Sequence, residues 1–139
     1  FMKKVICYTD GGARGNPGPA AIGIYAVDAT GVVFFEHKET IGEATNNVAE
    51  YQAVIIALRR LGEHFGVGLC EHALEFRLDS ELVVKQLRGE YKVKDANLAQ
   101  LHGRIKSVLA ELPHVTFVHV RREQNKEADR LVNEALDGK

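Results

Sequence analysis

Three segments with strand character follow one another before any helical period begins, and that order constrains the fold more than any other feature of the chain. Residues 3–9 contain VICYT, rich in β-branched and aromatic side chains, and stop at Asp10-Gly11-Gly12. The next nine residues, GGARGNPGP, tolerate positive φ at several places and contain two prolines that forbid helix, so a compact loop is expected over residues 11–19. AAIGIYAV, residues 20–27, reads as a second strand. Asp28-Ala29-Thr30-Gly31 has hairpin character, and VVFFEHKET, residues 32–40, follows as a third strand. The start of the chain is therefore an antiparallel meander.

At Thr45 the period changes. Glu50, Val54, Ala57 or Leu58, and Leu61 recur at the spacing of one helix face, with Thr45 or Asn46 as cap and Gly62 as the expected end. Glu50 falls on this apolar stripe, where a carboxylate turned inward needs a partner. Residues 73–78 read as a fourth strand stopped by Asp79-Ser80, and Ser80 can cap a helix over residues 81–87. A further helix is expected over residues 95–112, with Leu98, Leu101, Ile105, Val108 and Leu109 inward and Pro113 closing it. VTFVHV is the fifth strand. Residues 125–137 form the last helix, with Ala128, Leu131, Val132, Ala135 and Leu136 inward and Asp129 bordering that face. This order predicts an α/β fold, a five-stranded mixed sheet flanked by helices.

At 139 residues and 45% hydrophobic, the chain suits a single domain over residues 1–139 with a real core. Lys and Arg total 18 against 19 for Asp and Glu, so no global positive charge marks a nucleic-acid binder, and any such binding must be local. Cys7 and Cys70 form no metal-ligand spacing; reduced, buried thiols are expected, with a bridge between them left open by the sequence. Neither a leader-like apolar segment nor an apolar run near membrane-spanning length is present, which fits a cytoplasmic protein. Phe1, ahead of Met2, reads as a residue left by processing or cloning and is set aside.

Asp10 and Asp79 each end an expected strand, while Glu50 and Asp129 lie in the first turns of helices. If the first and fourth strands are parallel neighbours, their C-terminal ends bring Asp10 and Asp79 side by side, where open α/β sheets hold ligands. Four acids then converge. Packed carboxylates repel unless something cationic lies between them, and hard oxygen donors suit Mg²⁺ or Mn²⁺. Two such ions roughly 4 Å apart can assist an in-line displacement at a phosphodiester. Each acid also has a plainer reading: Asp10 as a turn former, Asp79 with Ser80 as a cap, Glu50 as an ion-pair partner of an arginine, and Asp129 as a charge favoured at a helix N-terminus.

Across nearly its whole length the chain resembles the ribonuclease H type 1 family, through YTDGGARGNPGPAAIG, TNNVAEYQAVIIAL, LDSELVVKQL and HVRREQNKEADRLVNEAL in that order. The resemblance implies the ribonuclease H-like fold, catalytic and metal-binding roles for Asp10, Glu50, Asp79 and Asp129, a mechanism using two Mg²⁺ ions with Mn²⁺ as a substitute, and hydrolysis of the RNA strand of RNA/DNA hybrids to 5′-phosphate and 3′-hydroxyl ends. Gly11, Gly12, Ala13, Arg14 and Asn16, with Thr45, Asn46 and Asn47, lie where relatives touch the hybrid; for these a turn and a helix cap are the plainer reading. Double-stranded RNA stands as a second substrate. A monomer with no obligate protein partner is expected.

Two departures from the family pattern stand out. No His lies in the turn before the last helix, which runs VRREQN and so resembles the short branch often called archaeal-type. Arg122 in that turn is the candidate to stabilise charge on the scissile phosphate or leaving group, against a solvated or phosphate-binding arginine. His119, inside the fifth strand, reads as structural. A long basic insert is also missing, with only Arg88, Lys92 and Lys94 near GEYKVKDANL, so weaker and more salt-sensitive binding is expected. The competing classes are a hybrid-binding module without turnover and a duplex-RNA or DNA nuclease on the same fold.

Overall fold

The five strand segments form one mixed sheet in the order β3-β2-β1-β4-β5. They are β1 (Lys3–Ala13), β2 (Gly18–Asp28), β3 (Val33–Ala44), β4 (His72–Leu78) and β5 (Val115–His119). Strands β1, β2 and β3 pair antiparallel, and β4 joins β1 and β5 in parallel. This is the five-stranded mixed sheet expected from the element order. The structure, a computed structural model, describes residues 2–139, so Phe1 lies outside the described residues.

Helix α1 (Asn46–Phe65) lies across one face of the sheet, with α2 (Glu81–Leu87) and α3 (Ala96–Leu109) beside it. Its inward stripe of Val54, Ala57 and Leu61 packs with Val5, Cys7, Ile24 and Phe76 in the principal core. Helix α4 (Lys126–Leu136) covers β1, β2 and β3 through buried Ala128, Leu131 and Val132. Two caps read from sequence are made, Thr45 Oγ1 accepting the Val48 N–H at 3.2 Å and Ser80 Oγ that of Val83 at 3.3 Å, and Asp95, read as the first residue of a helix, caps α3 by accepting the Leu98 N–H at 2.9 Å. Among the described residues no helix is long and apolar enough to cross a membrane.

Four sequence expectations need correction. The expected loop over residues 11–19 is mostly strand: β1 continues to Ala13, pairing Gly11 with Ile22, Gly12 with Ala21 and Ala13 with Ala20. Ladder pairing with β2 outweighs the low strand propensity of glycine. Helix α1 passes through Gly62 and ends at Gly66, whose φ of 60° supplies the turn out of the helix and whose N–H donates to the Gly62 carbonyl. The extra turn is held by Phe65, whose ring lies 5.1 Å from that of Phe34 and 4.5 Å from that of His72. Helix α3 stops at Leu109, three residues earlier than expected, and Val108 faces solvent. Cys7 is buried but Cys70 is exposed, on the 3-10 turn Gly66–Glu71 outside the sheet, and both are free thiols.

Candidate active site

The parallel pairing of β1 with β4 builds half of the site. Cys7 lies opposite Phe76 and Tyr8 opposite Arg77, so continuing the register by two residues sets Asp10 level with Asp79, just past the end of β4. Glu50 arrives from α1 because β1 has no side chain at residue 11. A Cβ on Gly11 would stand 2.2 Å from the backbone carbon and oxygen of Ala49, so only glycine lets the helix lie this close. That contact lets the Gly11 N–H donate to Glu50 Oε1 at 2.6 Å. The same device operates at Gly23 of β2, where a Cβ would meet the Ala128 carbonyl of α4 at 2.3 Å.

Asp10, Glu50 and Asp79 each present a carboxylate oxygen within 4.8 Å of the other two. Asp10 is 8% and Glu50 6% exposed, which is rare for acids without a cationic partner. Burial pushes the Asp10 carboxyl up to about 7; the hydrogen bond from Glu50 lowers it in part, and the nearby charges of Asp79 and Asp129 raise it further. Glu50 is held well above the ordinary carboxylate range, first by burial and then by the charge of Asp10. Glu50 Oε2 is buried and has no donor among the described residues. An oxygen in that position can share a proton with a neighbouring acid or bind a cation. Three hard oxygen donors with an unmatched acceptor among them fit a divalent metal site.

The three acids open into a cleft of about 450 Å³. The end of β1 contributes Gly11, Gly12, Ala13 and Arg14, the start of α1 contributes Asn46 and Asn47, and Arg122 stands on its rim from the 3-10 turn Arg122–Gln124. Asp129 lines the same cleft, exposed and outside the tight group of three, yet close enough for its carboxylate to act on Asp10. Asn16 and Thr45 stand back from it. Asn16 Oδ1 accepts the Asn46 N–H at 3.0 Å, and Thr45 caps α1. Asn46 Oδ1 in turn accepts the Ala13 N–H at 2.9 Å, tying the helix start to β1. Arg14 pairs with Asp137 at 2.7 Å. His119 is an exposed strand residue 3.9 Å from Glu81, outside the cleft.

Ser80, Val132 and Asn133 also line the cleft, though the sequence reading gave them only capping or packing roles or passed over them. Asn133 follows Asp129 by one helical turn, a spacing that could have flagged it. Asn125 is the residue most easily missed. It is 1% exposed, and its Nδ2 donates to Asp79 Oδ2 at 3.3 Å.

Residues 8–135 match the sequence model of the family described as Reverse transcriptase-like. Among curated proteins, the chain is similar to Ribonuclease HI of Halobacterium salinarum, at 43% identity over 134 residues that cover 96% of this chain and 65% of that protein. A bifunctional protein of Mycobacterium tuberculosis is 40% identical over 136 residues, covering 96% of this chain and 36% of that one. The chain thus spans less than two thirds of the length of these relatives. Among solved structures, LC11-RNase H1, isolated from compost by a metagenomic approach, superposes with a TM-score of 0.94 at 50% identity, covering 99% of this chain and 98% of that one. The same protein in complex with an RNA/DNA hybrid gives a TM-score of 0.93, covering 96% of this chain and 97% of that one.

Proposed function

This chain belongs to the ribonuclease H type 1 family, and from that premise we propose that it is a metal-dependent endoribonuclease that hydrolyses the RNA strand of RNA/DNA hybrids, leaving 5′-phosphate and 3′-hydroxyl ends. The observation that carries the reading is the close group of buried Asp10 and Glu50 with half-buried Asp79, in which Glu50 Oε2 has no partner. Its similarity to a protein crystallised with an RNA/DNA hybrid supports the substrate. The turn VRREQN, which carries no His, supports the reading of the chain as one of the short, archaeal-type branch. It works as a single cytoplasmic domain and a monomer.

Asp10, Glu50, Asp79 and Asp129 are the residues that would hold Mg²⁺ or Mn²⁺. Two such ions, when bound with substrate, supply an activated water and charge stabilisation at the phosphodiester. Glu50 is fixed for its task by the Gly11 N–H, which occupies Oε1 and leaves Oε2 buried without a partner. Asp129, exposed on the first turn of α4, stands where an incoming phosphate can reach it together with the other three acids. Arg122, permanently cationic on the rim, stabilises negative charge on the scissile phosphate or the departing oxygen. Gly11, Gly12, Ala13, Arg14, Asn46 and Asn47 line the cleft and form the binding margin, with Asn16 and Thr45 behind them, Asn16 holding the Asn46 N–H and Thr45 capping α1. Asn46, whose Oδ1 is committed to Ala13, has its amide hydrogens left for the ligand.

Competition between hybrid, duplex RNA and duplex DNA tests the substrate. Hybrid should be cut fastest and duplex DNA not at all; equal cleavage of duplex DNA would rule the assignment out. Arg122→Ala should lower kcat by about 10²-fold with KM little changed, as expected for a group acting on transition-state charge. A rise in KM alone would make Arg122 a binding residue.

Cation binding should depend on pH in a definite direction. Asp10 and Glu50 hold their protons to higher pH than ordinary carboxylates, and a metal must displace those protons. Mn²⁺ affinity measured by calorimetry should therefore rise from pH 5.5 to about 8, through the Asp10 value of about 7. Heats measured in buffers of different ionisation enthalpy should show proton release near pH 6. A pH-independent affinity would contradict this picture.

A further inference from the structure

Asn125 sits at the N-cap of α4, where an asparagine ordinarily turns its side chain onto the free N–H groups of the first helical turn. Here it makes no such bond. The side chain points inward, and its Nδ2 donates to the Thr9 carbonyl at 3.0 Å and to Asp79 Oδ2 at 3.3 Å. Thr9 precedes Asp10 on β1, and the Asn125 carbonyl accepts the Asp129 N–H at 3.1 Å. One residue is thus bonded to the strand that carries Asp10, to the carboxylate of Asp79 and to the backbone of Asp129. Its own Oδ1 is buried without a partner among the described residues. A tether serving only the helix would use the cap and leave no acceptor unmatched.

We propose that Asn125 is a positioning residue for the carboxylate site, its amide holding Asp79 in the orientation that faces Asp10 and Glu50 while fixing the start of α4, and so Asp129, to the same point. The chemistry of the side chain suits that task. A neutral amide donor fixes one carboxylate oxygen without cancelling the negative charge that draws a cation, whereas a lysine or arginine would compete with the cation and a carboxylate would add repulsion. Groups behind the ligands tune metal sites in this manner, by orienting the ligands themselves. The inference rests on the reading of Asp10, Glu50 and Asp79 as a cation site.

The test is a calorimetric titration of Mn²⁺ into the wild-type protein, Asn125→Ala and Asn125→Ser without nucleic acid, the serine being able to restore a cap to α4. Both variants should bind Mn²⁺ about ten-fold more weakly. The metal concentration for half-maximal cleavage should rise in parallel while KM for hybrid stays unchanged. Variants that lose thermal stability but bind Mn²⁺ like the wild type would overturn the proposal, leaving Asn125 a structural residue. Failure of the wild type itself to bind Mn²⁺ would overturn the cation-site reading, a distinct result. Should neither variant fold, the side-chain amide of Asn125 in wild-type protein gives the answer by ¹⁵N NMR. Its resonances should move when Mg²⁺ is added and again in Asp79→Asn, and indifference to both would overturn the proposal.

Discussion

Asp10→Asn should reduce cleavage of an RNA/DNA hybrid by roughly a thousand-fold or more, since it removes an anionic donor from a site where, on the proposed function, a bound metal would supply several kcal/mol of transition-state stabilisation. The same change should make the cation-free protein more stable, and increasingly so as pH rises. Folded Asp10 and Glu50 keep their protons to higher pH than they do in the unfolded chain. The folded state therefore binds more protons above the ordinary carboxylate pKa, and their contribution to stability is complete below it. That contribution is lost as pH rises through the folded value, about 7 for Asp10. At about 1.4 kcal/mol per pKa unit, removing the ionisable group returns at most about 4 kcal/mol at pH 8 and close to nothing at pH 4. Thermal unfolding in EDTA at pH 5 and pH 8 checks this. A variant less stable than wild type at both pH values would show that Asp10 is a structural residue.

Gly11→Ala is the second substitution with a large expected effect. The added methyl would lie 2.2 Å from the backbone of Ala49, a clash that no side-chain rotation relieves, so α1 must move away from β1. Overpacking against backbone should cost about 3 kcal/mol or more. It should also break the hydrogen bond from Gly11 to Glu50 and carry Glu50 out of the cluster, abolishing cleavage even where the protein stays folded. Gly12→Ala is the matched control. Its methyl would meet Val132 Cγ1 at 3.6 Å, an ordinary contact, and stability should change by less than about 1 kcal/mol. Denaturant unfolding of the two variants side by side separates the cases; equal stabilities would mean that the close approach of α1 does not depend on glycine.

The pair of glycines also marks where sequence reasoning reached its limit. Asp10 and Asp79 were legible because each follows a β-branched or apolar run and ends it, and Glu50 because a carboxylate interrupts an apolar helical stripe. The antiparallel start and the mixed sheet followed from the same patterns, while the parallel neighbourhood of β1 and β4 entered only as a condition, which the pairing meets. Gly11 and Gly12, read as part of a loop because the segment tolerates positive φ and holds two prolines, instead continue β1, since the packing of α1 against the sheet decides their conformation. Gly62 was read as a helix end on local grounds, but the packing of Phe65 outweighs a glycine cost of about 1 kcal/mol within a helix. Asn125 was beyond reach, because its type and place announce a helix cap while its side chain serves Asp79 from a distance of 46 residues along the chain. Contacts made between distant segments leave no trace in local spacing.

Cleavage of a hybrid labelled in its RNA strand, in Mg²⁺ or Mn²⁺ and again in EDTA, with the product ends identified, tests the proposed chemistry most directly. The RNA strand alone should be cut, only in the presence of a divalent cation, leaving 5′-phosphate and 3′-hydroxyl ends. An intact hybrid in both metals, or cleavage that persists undiminished in EDTA, would contradict it.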